Sequence, residues 1–255
     1  MLHGSSGQAD VERARLFASR GAAALALRWF GGENQTPGIC EIPLETFSAA
    51  VDRFERAGCA QIAVIGTSKG AEAALLAAVN DPRIKTVIAV SPSSVIWGNI
   101  GPGRDGVEWP QRSSWTLAGE SLPFVALDPY WRREMRDGLV AHRSLFEQSL
   151  RRFASEAEAA AIPVERIEAE VILVAGGDDA LWPSEMFARA IVARRAAAGK
   201  RASLVVHPEA GHRVLLPGET KPRSRLHAHG GTDEADSALG KSAWEAIMPL
   251  LNLAA

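Results

Sequence analysis

Short apolar segments alternate with amphipathic helical segments along most of this chain, and no other feature constrains its fold as strongly. Continuous apolar runs suit strands buried on both faces of a parallel sheet. The segments between them place apolar residues on one helical face, and several end at a glycine. The pattern predicts an α/β protein with a mostly parallel sheet flanked by helices. The predicted strands cover residues 22–30, 61–66, 84–92, 169–177 and 202–208. The predicted helices cover residues 10–21, 44–58, 69–79, 139–160, 184–198 and 238–253.

Composition narrows the functional class. The chain has 255 residues, 47% apolar and 23% charged, with a formal net charge of -2. We expect one domain over residues 1–255 and a small-molecule substrate, because this charge does not suit a nucleic-acid-binding surface. Cys40 and Cys59 have no metal-site spacing and fit free buried thiols of a reducing compartment. Without a membrane-length apolar run or a recognisable leader, a cytoplasmic location is expected.

Two stretches interrupt the alternation. Residues 93–138 are rich in Gly, Pro and Ser and contain four of the seven tryptophans, so they predict a cap or lid over a site. Residues 217–236 are polar and predict an exposed connection. At the start, Met1 and Leu2 lead directly into a loop-like HGSSG, so we expect a sheet shortened at its N-terminal side. Such an unpaired edge favours a homodimer.

The segment AVIGTSKGAEAALLAA (63–78) places Ser68 between an apolar strand and a small-residue helix. Gly66-Thr67-Ser68-Lys69-Gly70 matches G-x-S-x-G, in which glycines make room for a strained turn that exposes a nucleophilic serine. The motif alone is also compatible with an ordinary strand-to-helix turn. For Lys69 itself, we expect a side chain exposed at the helix start.

A nucleophilic serine needs a histidine base that is oriented by a carboxylate. In the α/β-hydrolase fold these follow in the order Ser, Asp or Glu, His, each in a loop after a strand. Asp179 follows the predicted strand 169–177, and His212 follows the predicted strand 202–208. Asp178 is the alternative acid, although capping the turn suits it better. The other histidines are expected to brace the first loop (His3), to be structural (His207), or to lie on the solvated surface (His142, His227 and His229).

An oxyanion hole completes this chemistry with two backbone N–H groups. The start of the helix after Ser68 offers the N–H of Lys69. The HGSSG loop offers the N–H of Ser5, although a flexible tail is the competing interpretation.

Several further segments resemble the C-terminal domain of the acyl-CoA thioesterase/bile acid-CoA:amino acid N-acyltransferase family. They are EIPLETFSAAVDRFERAG, AVIGTSKGAEAALLAA, AGGDDALWPSEMFARAI, PEAGH and GGTDEADSALGKSAW. The resemblance implies an α/β-hydrolase that cleaves acyl-CoA thioesters with Ser68, Asp179 and His212. We expect neither a cofactor nor a metal. Members that transfer acyl groups to amino acids tend to have cysteine at the elbow, so Ser68 favours hydrolysis. The family's N-terminal β-sandwich is not in this sequence.

Alternatives remain open at this stage. The same triad suits a small-ester or dienelactone-type hydrolase, and the short N-terminal side suits a non-catalytic remnant of the fold. Trp97, Trp115 and Trp131 are candidates for the wall of an acyl pocket, or pack only the cap's own core. Arg132, Arg133 and Arg136 could bind coenzyme A phosphates, although a solvated surface suits them better.

Overall fold

The computed structural model describes residues 1–253, and its elements largely follow the predicted alternation. The helices are α1 (Val11–Ala18), α2 (Glu45–Arg56), α3 (Lys69–Asn80), α4 (Arg143–Arg152), α5 (Ala154–Ala159), α6 (Ser184–Ala197) and α7 (Asp233–Leu250). The strands are β1 (Ile42–Pro43), β2 (Ile62–Thr67), β3 (Ile84–Val90), β4 (Trp115–Leu117), β5 (Glu120–Ser121), β6 (Glu134–Arg136), β7 (Leu139–Ala141), β8 (Glu170–Gly176) and β9 (Ser203–His207).

The central sheet contains four parallel strands in the order β2-β3-β8-β9. Val87 of β3 is paired with Val171 of β8, and Val174 of β8 is paired with Val205 of β9. Because all four strands run the same way, the residues that follow them share one edge of the sheet. The predicted α/β-hydrolase fold, with a mostly parallel sheet and flanking helices, is confirmed.

Both faces of the sheet are covered by apolar side chains. Along β8, Val171 and Leu173 point into the core beneath α3 and α6, whereas Ile172 and Val174 point into the core that contains Phe17 and α7. Alternate residues of β8 thus pack into two different cores, which explains why the sequence of β8 is continuously apolar.

The prediction of a regular strand over residues 22–30 is wrong. The only strand-type pairing of this segment within residues 1–253 is a bridge between Leu27 and Leu2, and Leu2 also bridges to Gly66 of β2. Leu2 donates to the carbonyl of Ile65 at 2.7 Å and accepts from Thr67 at 3.1 Å. No further residue of this segment forms a strand-type bridge among the described residues, and the apolar run ends in buried Trp29 and Phe30.

Two predicted helices have different bounds. The helix expected over 139–160 is a strand at its start, begins at Arg143, and breaks at Phe153, whose φ of -113° and ψ of 49° are not helical. The last helix starts at Asp233 instead of 238, because Thr232 caps it by accepting the N–H of Ala235 at 3.1 Å.

The segment 93–138, called the insertion below, is packed onto the domain by short strands. Its β4 pairs with β1 in parallel and with β5 in antiparallel fashion, while β6 pairs with β7 as a hairpin. No helix within residues 1–253 is both long and apolar enough to cross a membrane. Pairing of two copies along the sheet edge stays a prediction.

Candidate active site

Ser68 occupies a strained turn between β2 and α3. Its φ of 57° and ψ of -121° lie in a region that residues with a side chain rarely adopt. The two flanking glycines permit the turn: a Cβ on Gly66 would lie 2.0 Å from the carbonyl oxygen of Gly70, and one on Gly70 would lie 2.3 Å from that of Leu2. The Ser68 N–H donates to Val90 at 2.8 Å. This is the geometry of a nucleophile elbow.

Asp179 and His212 form a buried pair. Nδ1 of His212 lies 2.8 Å from Oδ2 of Asp179, and both side chains are almost fully enclosed. The other carboxylate oxygen accepts the N–H groups of Leu181 at 2.9 Å and Trp182 at 3.2 Å. A carboxylate beside Nδ1 favours the tautomer with the proton on Nδ1, which leaves Nε2 of His212 as a proton acceptor.

Asp178 has a different set of partners. Arg136 of β6 binds it through two N–H groups at 2.8 and 2.6 Å, and Gly231 donates its N–H to it at 2.9 Å. Asp178 therefore fastens the β6–β7 hairpin and the loop at Gly231, while Asp179 contacts His212. Arg136, in this ion pair, is not a free cation.

Two buried side chains join the loops of Ser68 and His212. Arg13 of α1 donates to Oγ1 of Thr67 at 2.9 Å and to the carbonyl of Val214 at 3.1 Å. Ser91, after β3, donates its hydroxyl to the carbonyl of His212 at 2.9 Å. No hydrogen bond joins Ser68 Oγ to His212 Nε2 in the described chain, and in free hydrolases this contact commonly tightens only with substrate.

Backbone segments lie beside Ser68 on two sides. The first turn of α3 presents the N–H of Lys69, which has no acceptor within its own helix. On the other side, Gly4 lies so close that a Cβ there would be 3.3 Å from Ser68 Cβ and 3.9 Å from Ser68 Oγ. Ser5 follows it in an exposed turn. The first loop thus lies beside the elbow, as an oxyanion hole requires.

His3 holds that first loop against the core. It is fully buried, its Nδ1 lies 2.7 Å from the carbonyl of Gly4, and its ring stacks on Trp29 at 5.2 Å. Burial lowers the pKa of His3, so a neutral ring is favoured. This contact is a structural basis for the bracing interpretation.

The structure corrects the expected exposure of Lys69. Its side chain is only 1% exposed, and Nζ forms an ion pair with Oε1 of Glu72 at 2.8 Å. The reason is that α3 is buried on nearly all sides, including the side that the insertion covers. The helix start is therefore not a solvated surface.

The three candidate tryptophans have different surroundings. Trp97 and Trp115 are 1% and 0% exposed, and their indole N–H groups donate to Ser93 at 2.9 Å and Glu72 at 2.6 Å. Neither presents surface to an acyl chain, which corrects their assignment to a pocket wall. Trp131 is half-buried and stacks on His142 at 5.5 Å.

Asp236 is a residue near the site that was not predicted from the sequence. It is fully buried, and it accepts the N–H of Gly211 at 2.8 Å and Nε of Arg213 at 3.1 Å, one residue on each side of His212. Burial raises the pKa of this carboxyl. In the sequence it lies at the end of the predicted exposed connection 217–236, and no local signal marks it as buried.

His229 differs from the expected surface histidine. It is half-buried, its ring lies 5.5 Å from that of His212, and its carbonyl accepts the N–H of His212 at 2.8 Å. Burial, with a smaller effect of His212, lowers the pKa of His229 to about 3. His227 is exposed as expected, whereas His142 is half-buried just before α4. No group of three or more potential metal ligands is found among residues 1–253.

Comparison with known proteins gives consistent matches. A family model described as "BAAT / Acyl-CoA thioester hydrolase C terminal" matches residues 42–253. Acyl-coenzyme A thioesterase 6 of Mus musculus is 26% identical over 260 residues, covering 96% of this chain and 57% of that protein. Acyl-coenzyme A thioesterase 1 of Homo sapiens is 26% identical over 258 residues, with the same coverage of each chain. The chain thus spans little more than half the length of these relatives. A solved structure of a bacterial membrane phospholipase A aligns with a TM-score of 0.42 at 17% identity, over 80% of this chain and 69% of that chain.

Proposed function

Because the chain belongs to the family described as BAAT / Acyl-CoA thioester hydrolase C terminal, we propose that it hydrolyses acyl-CoA thioesters through an acyl-enzyme on Ser68. One observation carries the proposal. A serine in a strained elbow and a buried Asp179–His212 pair at 2.8 Å follow parallel strands of the same sheet, so their loops share one edge. A carboxylate-oriented imidazole at such an edge is the machinery that a weak serine nucleophile requires.

The acylation step begins at Ser68. His212 Nε2 takes the proton from Ser68 Oγ, and the oxygen attacks the carbonyl carbon of the thioester. Asp179 stabilises the imidazolium that forms, without itself taking the proton. The carbonyl oxygen becomes an oxyanion, which the N–H groups of Lys69 and Ser5 stabilise at the positive end of α3. When the C–S bond breaks, the imidazolium returns its proton to the leaving thiolate of coenzyme A.

Deacylation repeats the sequence with water. His212 Nε2 takes a proton from the water as its oxygen attacks the acyl carbon of the Ser68 ester. The same N–H groups stabilise the second oxyanion. Its collapse returns the proton through His212 to Ser68 Oγ and releases a carboxylic acid. Trp131, half-buried before the β6–β7 hairpin, is the tryptophan that we retain as a pocket-wall candidate.

The test compares thioester turnover with covalent labelling. Purified protein is incubated with a series of acyl-CoA substrates and p-nitrophenyl esters, and separately with a fluorophosphonate probe. We expect thioester turnover and labelling in the wild type, and neither in Ser68→Ala. Ser155→Ala is the matched control, since Ser155 is exposed on α5.

Three results would contradict the proposal in different ways. Turnover restricted to oxygen esters would support the small-ester alternative. Labelling that survives Ser68→Ala would exclude Ser68 as the nucleophile. A folded wild type that neither turns over a substrate nor reacts with the probe would support the non-catalytic alternative.

A further inference from the structure

The backbone and the side chain of Lys69 lie in different surroundings. Its N–H lies at the start of α3, directly after Ser68, while its side chain runs inward to Glu72. The Nζ–Oε1 distance is 2.8 Å, and the two side chains are 1% and 0% exposed. An ion pair so enclosed, one residue from the nucleophile, has no part in the proton transfers proposed above.

Glu72 connects this pair to the insertion. Its Oε1 also accepts the indole N–H of Trp115 at 2.6 Å and the backbone N–H of Trp97 at 3.2 Å. Nζ of Lys69 lies 5.3 Å from the centre of the Trp115 ring. One carboxylate oxygen therefore fastens the first turn of α3 to two points of the insertion.

Stability alone is a poor explanation for this arrangement. Taking both charges out of water is costly, and a buried ion pair is often no more stabilising than a well-packed apolar pair of similar volume. Burial lowers the pKa of Lys69 and raises the pKa of Glu72, the directions expected from that cost. In addition, Glu72 Oε2 is buried without a hydrogen-bond partner among the described residues. A network that leaves a buried oxygen unsatisfied is not optimised for folding.

We propose that Lys69 and Glu72 are positioning residues that hold the first turn of α3 against the insertion and thereby direct the Lys69 N–H toward the oxyanion. The proposal rests on the proposed hydrolase function. An N–H donor aimed at the oxyanion acts mainly in the transition state, so its misalignment lowers kcat and leaves KM nearly unchanged.

The main test removes both charges and keeps the hydrogen bonds to the tryptophans. In Lys69→Met/Glu72→Gln the glutamine oxygen can still accept from Trp115 and Trp97, and neither charge is left unpaired. We expect a urea midpoint close to that of the wild type, a tenfold or greater fall in kcat, and a KM within twofold. The matched control is Arg189→Met/Glu185→Gln, which removes an i,i+4 ion pair whose arginine is 62% exposed; its kcat should not change.

A second measurement separates positioning from general damage to the site. A trifluoromethyl ketone analogue of the acyl-CoA forms an oxyanion with the serine, whereas an unreactive thioether analogue does not. The double variant should bind the ketone tenfold or more weakly and the thioether as well as the wild type does. The pH dependence of kcat/KM should keep its midpoint, because His212 and Asp179 are untouched.

The proposal is overturned if the folded double variant keeps kcat within twofold of the wild type, or if its affinities for both analogues fall equally. If the double variant does not fold, Trp115→Phe decides, provided that it is folded, since it keeps the Lys69–Glu72 pair and removes the indole N–H to Glu72 together with part of a buried ring. A fall in kcat at constant KM supports the proposal, and an unchanged kcat overturns it. Failure of the underlying function is separately visible, because the wild type itself would then show no turnover and no fluorophosphonate labelling.

Discussion

The carboxylate of Asp236 accepts the backbone N–H of Gly211 at 2.8 Å, and it does so from the first turn of α7, far along the chain. Its second oxygen binds Nε of Arg213 at 3.1 Å, so Asp236 holds the loop on both sides of His212. The backbone at His212 is therefore held through the residues directly before and after it. Asp179 fixes the imidazole, and Asp236 fixes the backbone that carries it.

Asp236→Asn should lower thioester kcat/KM by about ten- to a hundredfold, because a small displacement of a reacting group can cost about a hundredfold. An asparagine side chain has a single acceptor oxygen, so it can accept only one of the two hydrogen bonds from Gly211 and Arg213 in the same geometry. Unfolding in urea should show a loss of about 1–3 kcal/mol. Asp233→Asn is the matched control, since Asp233 binds the same arginine from a largely exposed position. Equal losses in the two variants would contradict a role for Asp236 in holding the loop.

Asp179→Asn should abolish most of the activity, because an amide at Oδ2 no longer favours the His212 tautomer with its proton on Nδ1. In a triad of known mechanism this change costs about four orders of magnitude in kcat. Steady-state hydrolysis and fluorophosphonate labelling should fall together. Asp178→Asn is the comparison: it weakens the ion pair with Arg136 and leaves the contact with His212 intact, so the loss should stay within about tenfold. If Asp178→Asn were the more damaging change, the roles of the two aspartates would have to be exchanged.

Gly66→Ala should prevent stable folding. The added Cβ would lie 2.0 Å from the carbonyl oxygen of Gly70, and backbone on both sides of the elbow cannot move away without breaking the turn. We expect a loss of more than about 4 kcal/mol, the range of severe overpacking and strain. In Gly199→Ala the added Cβ has no atom within 4 Å, and the only penalty is the strain of a φ of +72°. This change should therefore lower the free energy of unfolding by about 1 kcal/mol. Circular dichroism and urea unfolding measure both, and a stable Gly66→Ala protein would disprove the close approach.

Acid should destabilise the fold through His229. An unfolded histidine takes up its proton near pH 6.5, whereas burial holds the pKa of folded His229 at about 3. Between these values the unfolded chain binds more protons, so the free energy of unfolding falls as the pH falls. His212, Asp179, His227 and Lys221 are the charged or titratable groups that act on His229, and of these only Asp179 favours its protonation.

His229→Gln should therefore make the unfolding free energy less dependent on pH between about 5 and 6.5, by at most about 1.4 kcal/mol per pH unit. Urea unfolding at several pH values within this window measures the slope. His227→Gln, at an exposed histidine two residues away, should keep the slope of the wild type. An unchanged slope in His229→Gln would mean that folded His229 titrates normally.

The order of Ser68, Asp179 and His212 could be predicted because each follows a recognisable apolar run, and parallel strands deliver their carboxyl ends to one edge. The surroundings of these residues could not be predicted in the same way. Nothing local distinguishes Lys69 from an exposed lysine at a helix start, since its burial depends on the insertion, which lacks any helical or strand periodicity. The segment 22–30 also has the composition of a strand, but a strand needs backbone partners, and among the described residues its only strand-type partner is Leu2.

The sequence alone was enough to predict the alternation of elements, the elbow at Ser68 and the order of the candidate acid and the candidate base. These features depend on local periodicity and on small residues at fixed spacing. Both can be recognised in a short segment without knowing the rest of the chain. The tertiary structure decided that Lys69 is enclosed with Glu72, that Trp115 is a hydrogen-bond donor within the core, and that Asp236 holds the His212 loop. Each of these contacts joins segments that are distant in the chain or covered by another element. Burial and pairing of charges are properties of the packed molecule, so they are decided only when the insertion and α7 close over the sheet.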